Sequence, residues 1–297
     1  MAKAPSASHA RKGWSGHDRV VVITGGGGGI GSAFAHLVAA RGATVVLVDL
    51  RPEAADAVAA SLPGSGHSVL TGDLTSRGNV EHVLDCVEAE HGRIDVLVNC
   101  MGMTSAERFD ERDPDSIDHE LRVNLNAPLM LTNLAIPLLK AAPDPRIITV
   151  VSLGAIFPLG ETPIYTASKY GLRGAMLSIA LDLAPKGIRV SSVLPSATDT
   201  RMLRQEAIDG GNAFQFQDPP QSPETVARCM VGLLDKPRLE AYPKPSESWL
   251  VRAALLAPNL LPRVMPMFRG KGERGQAKYL RQLRERGLID ERGELVE

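Results

Sequence analysis

The chain has 297 residues, 33 of them Lys or Arg and 34 Asp or Glu, for a formal charge of −1. Hydrophobic residues make up 44% and charged residues 23%, too apolar and too evenly charged for a disordered chain, and without the cationic surplus that a nucleic-acid binder needs. Cys86, Cys100 and Cys229 form no C-x-x-C pair and no two histidines stand at H-x-x-x-H spacing. Neither a disulfide framework nor a zinc motif is therefore legible, and a reducing, cytoplasmic setting is expected.

Residues 1–17 contain Lys and Arg but no acid and no apolar core, which predicts a disordered leader rather than a secretory signal. From Arg19 the sequence becomes periodic. The wholly apolar run at 20–23 and the β-branched, apolar run at 44–48 predict strands buried on both faces, and further strands are predicted at 68–70, 94–98, 146–151 and 189–194. Amphipathic stretches lie between them. Ile30, Phe34, Leu37 and Val38 mark one helix, Pro52 opens another over 52–62, and Val80, Val83, Leu84 and Val87 mark a third over 77–91. Helices are also predicted over 114–139, 165–183 and 222–234, the last capped by Ser222 ahead of Pro223.

This alternation predicts an α/β fold: a Rossmann-like doubly wound parallel sheet, one domain over 18–243. Residues 198–223 read as a long irregular loop with some helix. Residues 244–297 read as a C-terminal extension, a Pro-interrupted apolar segment followed by a charged helix over 276–286.

Between the first strand and the first helix stands Thr24-Gly-Gly-Gly-Gly-Gly-Ile-Gly31. Glycines there permit a tight turn and close approach of a pyrophosphate, and the helix N-terminus offers N–H groups to it. A merely flexible linker is the alternative, and the flanking strand and helix favour the phosphate reading. Asp49 ends the second strand, where a carboxylate can accept from ribose hydroxyls and repel a 2′-phosphate. NAD is therefore favoured over NADP, with Arg51 the one nearby cation; Asp49 can also cap the helix ahead of Pro52. Asp73 after the third strand can meet the adenine amino group or cap a turn.

Tyr165 and Lys169 stand four residues apart and share a helix face. An ammonium beside a phenol is expected to pull its pKa below about 10, making the tyrosine an acid/base near neutral pH. Ser152 ends the fifth strand, where ligands bind such sheets.

With these residues in place, the chain resembles the short-chain dehydrogenase/reductase family over about 18–240. The motifs are the glycine turn at 24–31, Asp49, Asp73, Asn99 with Gly102, Asn124, Ser152, Tyr165-Thr-Ala-Ser-Lys169, and Pro195 with Thr200. The resemblance implies a catalytic tetrad of Asn124, Ser152, Tyr165 and Lys169. In such enzymes the tyrosine exchanges a proton with the substrate oxygen while hydride moves to or from the nicotinamide. Serine positions that oxygen, lysine binds the nicotinamide ribose, and asparagine holds a water in a proton relay. From its residues alone, Asn124 reads only as a helix-kinking or capping residue. Cofactor contacts are implied at Gly25, Gly28, Gly29, Ile30, Gly31, Asp49, Asp73, Leu74, Asn99, Gly102, Tyr165, Lys169, Pro195, Thr198 and Thr200. The chain departs from the family at Asn99-Cys-Met-Gly102, at Ser196, and at Thr198 in place of an apolar residue.

Met103, Ile156, Phe157, Leu159, Met202, Phe214 and Phe216 predict an apolar pocket for a hydrophobic secondary alcohol or ketone. Leu172, Met176, Ile179 and Leu183 form one stripe on the 165–183 helix, which core packing explains in part; the resemblance adds a homodimer or homotetramer interface. In the tail, Leu250, Val251, Ala254, Leu255, Leu260, Leu261, Val264 and Met267 need cover. Docking on the parent domain or a neighbouring subunit is the plainer expectation. A membrane-surface contact with Arg252, Arg263, Arg269, Lys271 and Arg274 at anionic head groups is the alternative. Three functions are consistent with the chain: an NAD-dependent alcohol dehydrogenase or ketoreductase, a non-catalytic nucleotide-binding scaffold, and a lyase or epimerase on the same fold. The intact Tyr165 and Lys169 favour the first.

Overall fold

In the computed structural model, which describes residues 13–246 and 258–296, the apolar runs form one sheet of seven strands. They are β1 (Val20–Thr24), β2 (Thr44–Asp49), β3 (Ser68–Thr71), β4 (Val96–Asn99), β5 (Arg146–Val150), β6 (Arg189–Val193) and the two-residue β7 (Glu240–Ala241). Every pairing is parallel and the order is β3-β2-β1-β4-β5-β6-β7. Strand order reverses between β1 and β4, which opens a crevice at the carboxyl ends of the strands.

Alternating side chains feed two cores. Val22, Val46, Leu97 and Ile147 face α3 (Arg77–His91), α5 (Ala127–Leu134) and α7 (Pro163–Leu183). Val21, Ile23, Leu47 and Ile148 face α1 (Gly29–Ala39), α2 (Pro52–Ser61) and α9 (Pro223–Asp235). Leu172, Met176 and Leu183 of α7 lie in the first core, so most of the stripe singled out above points inward.

Three expectations need correction. Residues 13–17 are not part of a disordered leader: Trp14 donates its backbone N–H to Asp235 at 2.7 Å, and Asp235 also pairs with Arg41. The single helix over 114–139 is broken into α4 (Pro114–Leu121), a π turn (Arg122–Asn126), α5, and α6 (Ile136–Lys140). Pro128 and Pro137 lack the N–H that would continue the ladder, and the N–H of Ala127 reaches back five residues to Arg122 O.

The tail is the third. After α8 (Arg201–Ile208) and a short 3₁₀ segment (Ala213–Gln217), the described residues 258–296 carry a 3₁₀ turn (Pro258–Leu260) and a long helix, α10 (Leu261–Glu285), which continues through Pro266. Pro262 sits in its first turn, where no N–H is needed. Pro266 removes one bond near that same end, and the burial of α10 against Ala213–Gln217 and α8 offsets it. Tyr279, Leu283 and Ile289 join Leu203, Ala207 and Phe216 in a third core. Trp249, Leu250, Val251, Arg252, Ala254 and Leu255 lie outside the described residues.

Gly272 and Gly275 make the docking possible, because a Cβ at either would collide with the backbone carbonyls of Ala213 and Phe216 respectively. Gly270, by contrast, has only the flexible end of Arg274 within reach of a Cβ, at 3.5 Å. Gly275→Ala is expected to cost about 1–3 kcal/mol by overpacking, whereas Gly270→Ala gains about 0.5–1 kcal/mol from helix propensity. Urea unfolding of the two variants beside the parent checks the contrast.

Candidate active site

A cavity of about 910 Å³ runs along the carboxyl ends of the strands, and all but two of the anticipated catalytic and cofactor-contact residues line it. The glycine turn is not a loose linker. Gly28 N–H bonds Gly25 O at 3.0 Å, Gly26 N–H bonds Val48 O at 3.3 Å, and Gly27 N–H bonds Asp49 Oδ2 at 2.9 Å. Gly25 adopts φ +65°, and its carbonyl stands where a Cβ of residue 31 would be, so α1 starts hard against β1. The N-cap Gly28 gives α1 no side-chain cap, and Gly28, Gly29, Ile30 and Gly31 all face the cavity. An uncapped helix N-terminus aimed into a cavity is a seat for an anion.

Asp49 serves both roles open to it. Oδ1 accepts from Arg51 N at 3.0 Å and Oδ2 from Gly27, tying the β2 end to the glycine turn, and the residue still lines the cavity beside Arg51. Asp73 caps its turn through Thr75, whose hydroxyl bonds Oδ1 at 2.7 Å and whose N–H bonds it at 2.9 Å; these contacts hold the carboxyl below its ordinary value. Asp73 and Leu74 border the same cavity.

The two residues that do not line the cavity are Asn99 and Asn124. Asn99 is buried, and its amide bonds Thr132 and Thr149 at 3.0 and 3.3 Å. It anchors the β4 end from below rather than touching a ligand. Thr24 Oγ1 completes that anchor by accepting from Cys100 N at 3.1 Å. Asn124, in the π turn, is fully buried and locked to the backbone of Met103 through two 2.8 Å bonds, one accepted and one donated. Its side chain therefore positions the Gly102–Met103 floor; both polar atoms of its amide are engaged. Gly102 and Met103 line the cavity, as does Cys100, whose thiol burial pushes up to about 12.

Ser152, Tyr165 and Lys169 meet on one wall. Ser152 Oγ accepts from Gly154 N at 2.9 Å and shares a hydrogen bond with the Tyr165 phenol. Lys169 is 3% exposed, with Nζ 3.4 Å from Val150 O and 5.6 Å from the Tyr165 ring centroid. The expected lowering of the phenol pKa is not met in the chain by itself. Burial pushes Tyr165 up to about 12, with the Ser152 bond opposing and the charges of Glu206 and Glu120 adding to it. Burial likewise brings Lys169 down to about 8. In a desolvated pair the loss of water outweighs mutual attraction.

Beyond this wall apolar side chains predominate, with Glu206, Gln215, Gln217, Asp218 and Lys271 among them. Met103, Phe157, Leu159, Met202 and Phe214 line the cavity as anticipated, and Phe157 stacks on Phe214 at 5.4 Å. Ile156 and Phe216 do not; each packs in a core. Sequence reading missed Leu261, Met265 and Phe268 of α10, and Glu206 and Gln215. Glu206 stands three residues after Leu203 and one before Ala207, both buried, so helical spacing already placed it on the inner face. Pro195, Thr198 and Thr200 border the cavity, and Thr200 caps α8.

Asp199 ties this region to α10. It accepts from Arg204 at 2.7 Å, Tyr279 at 2.6 Å and Arg286 at 2.8 Å.

The model of the short chain dehydrogenase family matches residues 19–209. A D-threitol dehydrogenase of Mycolicibacterium smegmatis is 32% identical over 222 residues, 72% of this chain and 85% of that protein. An uncharacterised oxidoreductase of Bacillus subtilis is 31% identical over 193 residues, 64% of this chain and 75% of that one. The ligand-free aldohexose dehydrogenase of Thermoplasma acidophilum superposes with a TM-score of 0.67 at 25% identity, covering 79% of this chain and 96% of that one. The chain belongs to the short-chain dehydrogenase family. It is an oxidoreductase of the CH–OH group, in a family that works with nicotinamide cofactors.

The three donors on Asp199 outweigh the burial that opposes them and hold its carboxyl at about 2. A depressed carboxyl contributes stability that is complete above its ordinary value near 3.8 and is lost as pH falls toward about 2. Asp199→Asn is expected to lower stability at neutral pH and to make the acid-side decline below about pH 4 shallower, measured by urea unfolding in steps from pH 7 to pH 3.

Proposed function

We propose that the chain interconverts secondary alcohols and ketones of largely apolar body, with NAD preferred over NADP and Tyr165 as the acid/base. The observation that carries this reading is the convergence on one cavity of an uncapped helix N-terminus, a ribose-side carboxylate and a buried Ser-Tyr-Lys wall. Two matched relatives are dehydrogenases by name, which supports the reaction class.

The residues present fit a dinucleotide. The first-turn N–H groups of α1 suit a pyrophosphate, Asp49 suits the adenosine ribose hydroxyls and disfavours a 2′-phosphate, and Asp73 and Leu74 border the adenine end. Lys169, buried with a single long backbone bond, has donors to give to the nicotinamide ribose. When bound, the nicotinamide supplies or takes up the hydride.

The chain's own residues handle the proton and the geometry. Ser152 holds the substrate oxygen beside the Tyr165 phenol, which gives or takes the proton at its hydroxyl. A phenol at about 12 is a poor base in the ligand-free chain; acceptors for the Lys169 ammonium would keep it charged and so favour the phenolate. Asn124 keeps the Met103 floor in register. Met103, Phe157, Leu159, Phe214, Met265 and Phe268 exclude water from the reacting carbon. No helix among the described residues is long and apolar enough to cross a membrane, and a cytoplasmic setting is part of the proposal. So is an assembly of two or four copies, for which the exposed Tyr170 and Leu181 of α7 are apolar surface to cover.

Tyr165→Phe keeps the ring and removes the proton carrier; turnover is expected to fall by at least ~100-fold while cofactor affinity, measured by fluorescence titration, stays close to the parent's. Near-normal turnover would remove Tyr165 from the mechanism. Asp49→Ser should shift the ratio of kcat/KM for NAD to that for NADP toward NADP. A parent enzyme that already favours NADP would show Arg51, not Asp49, to dominate.

A further inference from the structure

Two acids, Glu206 and Asp218, stand in the cavity wall on the side of Phe214 and Gln215, and Asp218 is paired with Lys271 at 3.4 Å. Glu206 is 6% exposed, lines the cavity, and carries a single side-chain hydrogen bond, in which Gln215 Nε2 donates to its Oε1 at 2.6 Å. Among the described residues it forms no ion pair, and the charges it feels most are Glu120, Glu161 and Asp209, all acids. A carboxyl buried without a counter-ion is costly; burial pushes this one up to about 7.

Its position is held from behind. Gly211 donates its N–H to the Glu206 carbonyl at 2.9 Å, and a Cβ on Gly211 would lie 2.8 Å from Glu206 Cγ. Gln276 of α10 braces the same turn by donating to Ala207 O and Gly211 O, both at 3.2 Å. The stem is thus clamped, one carboxyl oxygen is taken, and the other has no protein partner among the described residues. Glu206 is also close enough to Tyr165 to affect its proton affinity.

We propose that Glu206 is a specificity-determining residue: its second carboxyl oxygen receives a hydrogen-bond donor of the substrate, a hydroxyl or an ammonium set apart from the reacting carbinol. The substrate is then a diol or an amino alcohol with an apolar body, not a simple hydrophobic alcohol. The aromatic and Met side chains hold the carbon skeleton, and Glu206 fixes which end of it faces Tyr165. The inference rests on the cavity being the site of an alcohol oxidoreductase. A buried acceptor left unpaired by a substrate lacking the donor is a strong means of rejecting it.

The test compares cyclohexanol with the cyclohexanediols and aminocyclohexanols in the parent, Glu206→Gln and Glu206→Leu proteins. In the parent, at least one donor-bearing compound is expected to exceed cyclohexanol in kcat/KM by about 10- to 100-fold, the scale of a hydrogen bond to a charged group. Glu206→Leu should bring that ratio close to one. Glu206→Gln, which keeps shape and one acceptor, should retain part of a diol preference and lose an amino-alcohol preference, which tells the two donors apart. A residue that only braced the fold would shift melting temperature and lower kcat/KM for every compound alike, leaving the ratio intact. Parity in the parent, or a preference unchanged in Glu206→Leu, overturns the assignment while the alcohol reading stands on cyclohexanol turnover and its loss in Tyr165→Phe. If the parent turns over none of the compounds, the alcohol reading fails separately. Thermal shifts of the NAD-loaded parent and both variants then decide Glu206: stabilisation by the diols or amino alcohols that Glu206→Leu abolishes upholds its role as donor acceptor, and its absence in the parent overturns it.

Discussion

An ammonium buried to 3% exposure with one long bond to a backbone carbonyl is an unstable arrangement, and the active site is organised around it. Lys169 is carried by α7 beside Tyr165, with the carbonyl of Val150 at the β5 end 3.4 Å from Nζ. Its remaining donors face the cavity. The same desolvation that weakens its charge strengthens every interaction an incoming acceptor makes with it. Tyr165 shares that environment, so phenol and ammonium respond together to whatever fills the space above them.

The fold was largely legible because its signals are local. Wholly apolar strands such as Val20-Val21-Val22-Ile23, a glycine turn and a following amphipathic helix repeat the same instruction at several scales. The catalytic wall was legible from Ser152, Tyr165 and Lys169 for the same reason: helix spacing and the strand end place them together. The electrostatics were not, since spacing reports which charges are near and says nothing of how much water each has lost. Asn124 and Asn99 show a related limit. Both occupy the anticipated places, but only their partners, Met103 for one and Thr132 and Thr149 for the other, show that they support the cavity instead of lining it.

The C-terminal helix was the largest departure, and the cause is specific. Three prolines and a high density of Arg and Lys mask a stripe that runs Leu261, Met265, Phe268, Gly272, Gly275, Tyr279 and Leu283, in steps of three and four. Two of those positions are glycines, which a search for apolar residues passes over. Their function appears only against the carbonyls of Ala213 and Phe216. With them in register, Leu261, Met265 and Phe268 reach the cavity, so the segment after Pro243 contributes to the site and is not an appendage to it.

Asp199 gathers donors from α8, from α10 and from the residue just past α10 on one carboxylate. This carboxylate adds to the packing of Tyr279 and Leu283 on Leu203 and Ala207 and to the Gln276 bonds, so that α10 and the helix bearing Glu206 are tied together by polar and apolar contacts at once. Local opening in such a region proceeds as one cooperative unit. Undocking of α10 would withdraw Leu261, Met265 and Phe268 from the cavity wall together, so the shape of the site depends on contacts at Asp199, a residue that does not line it.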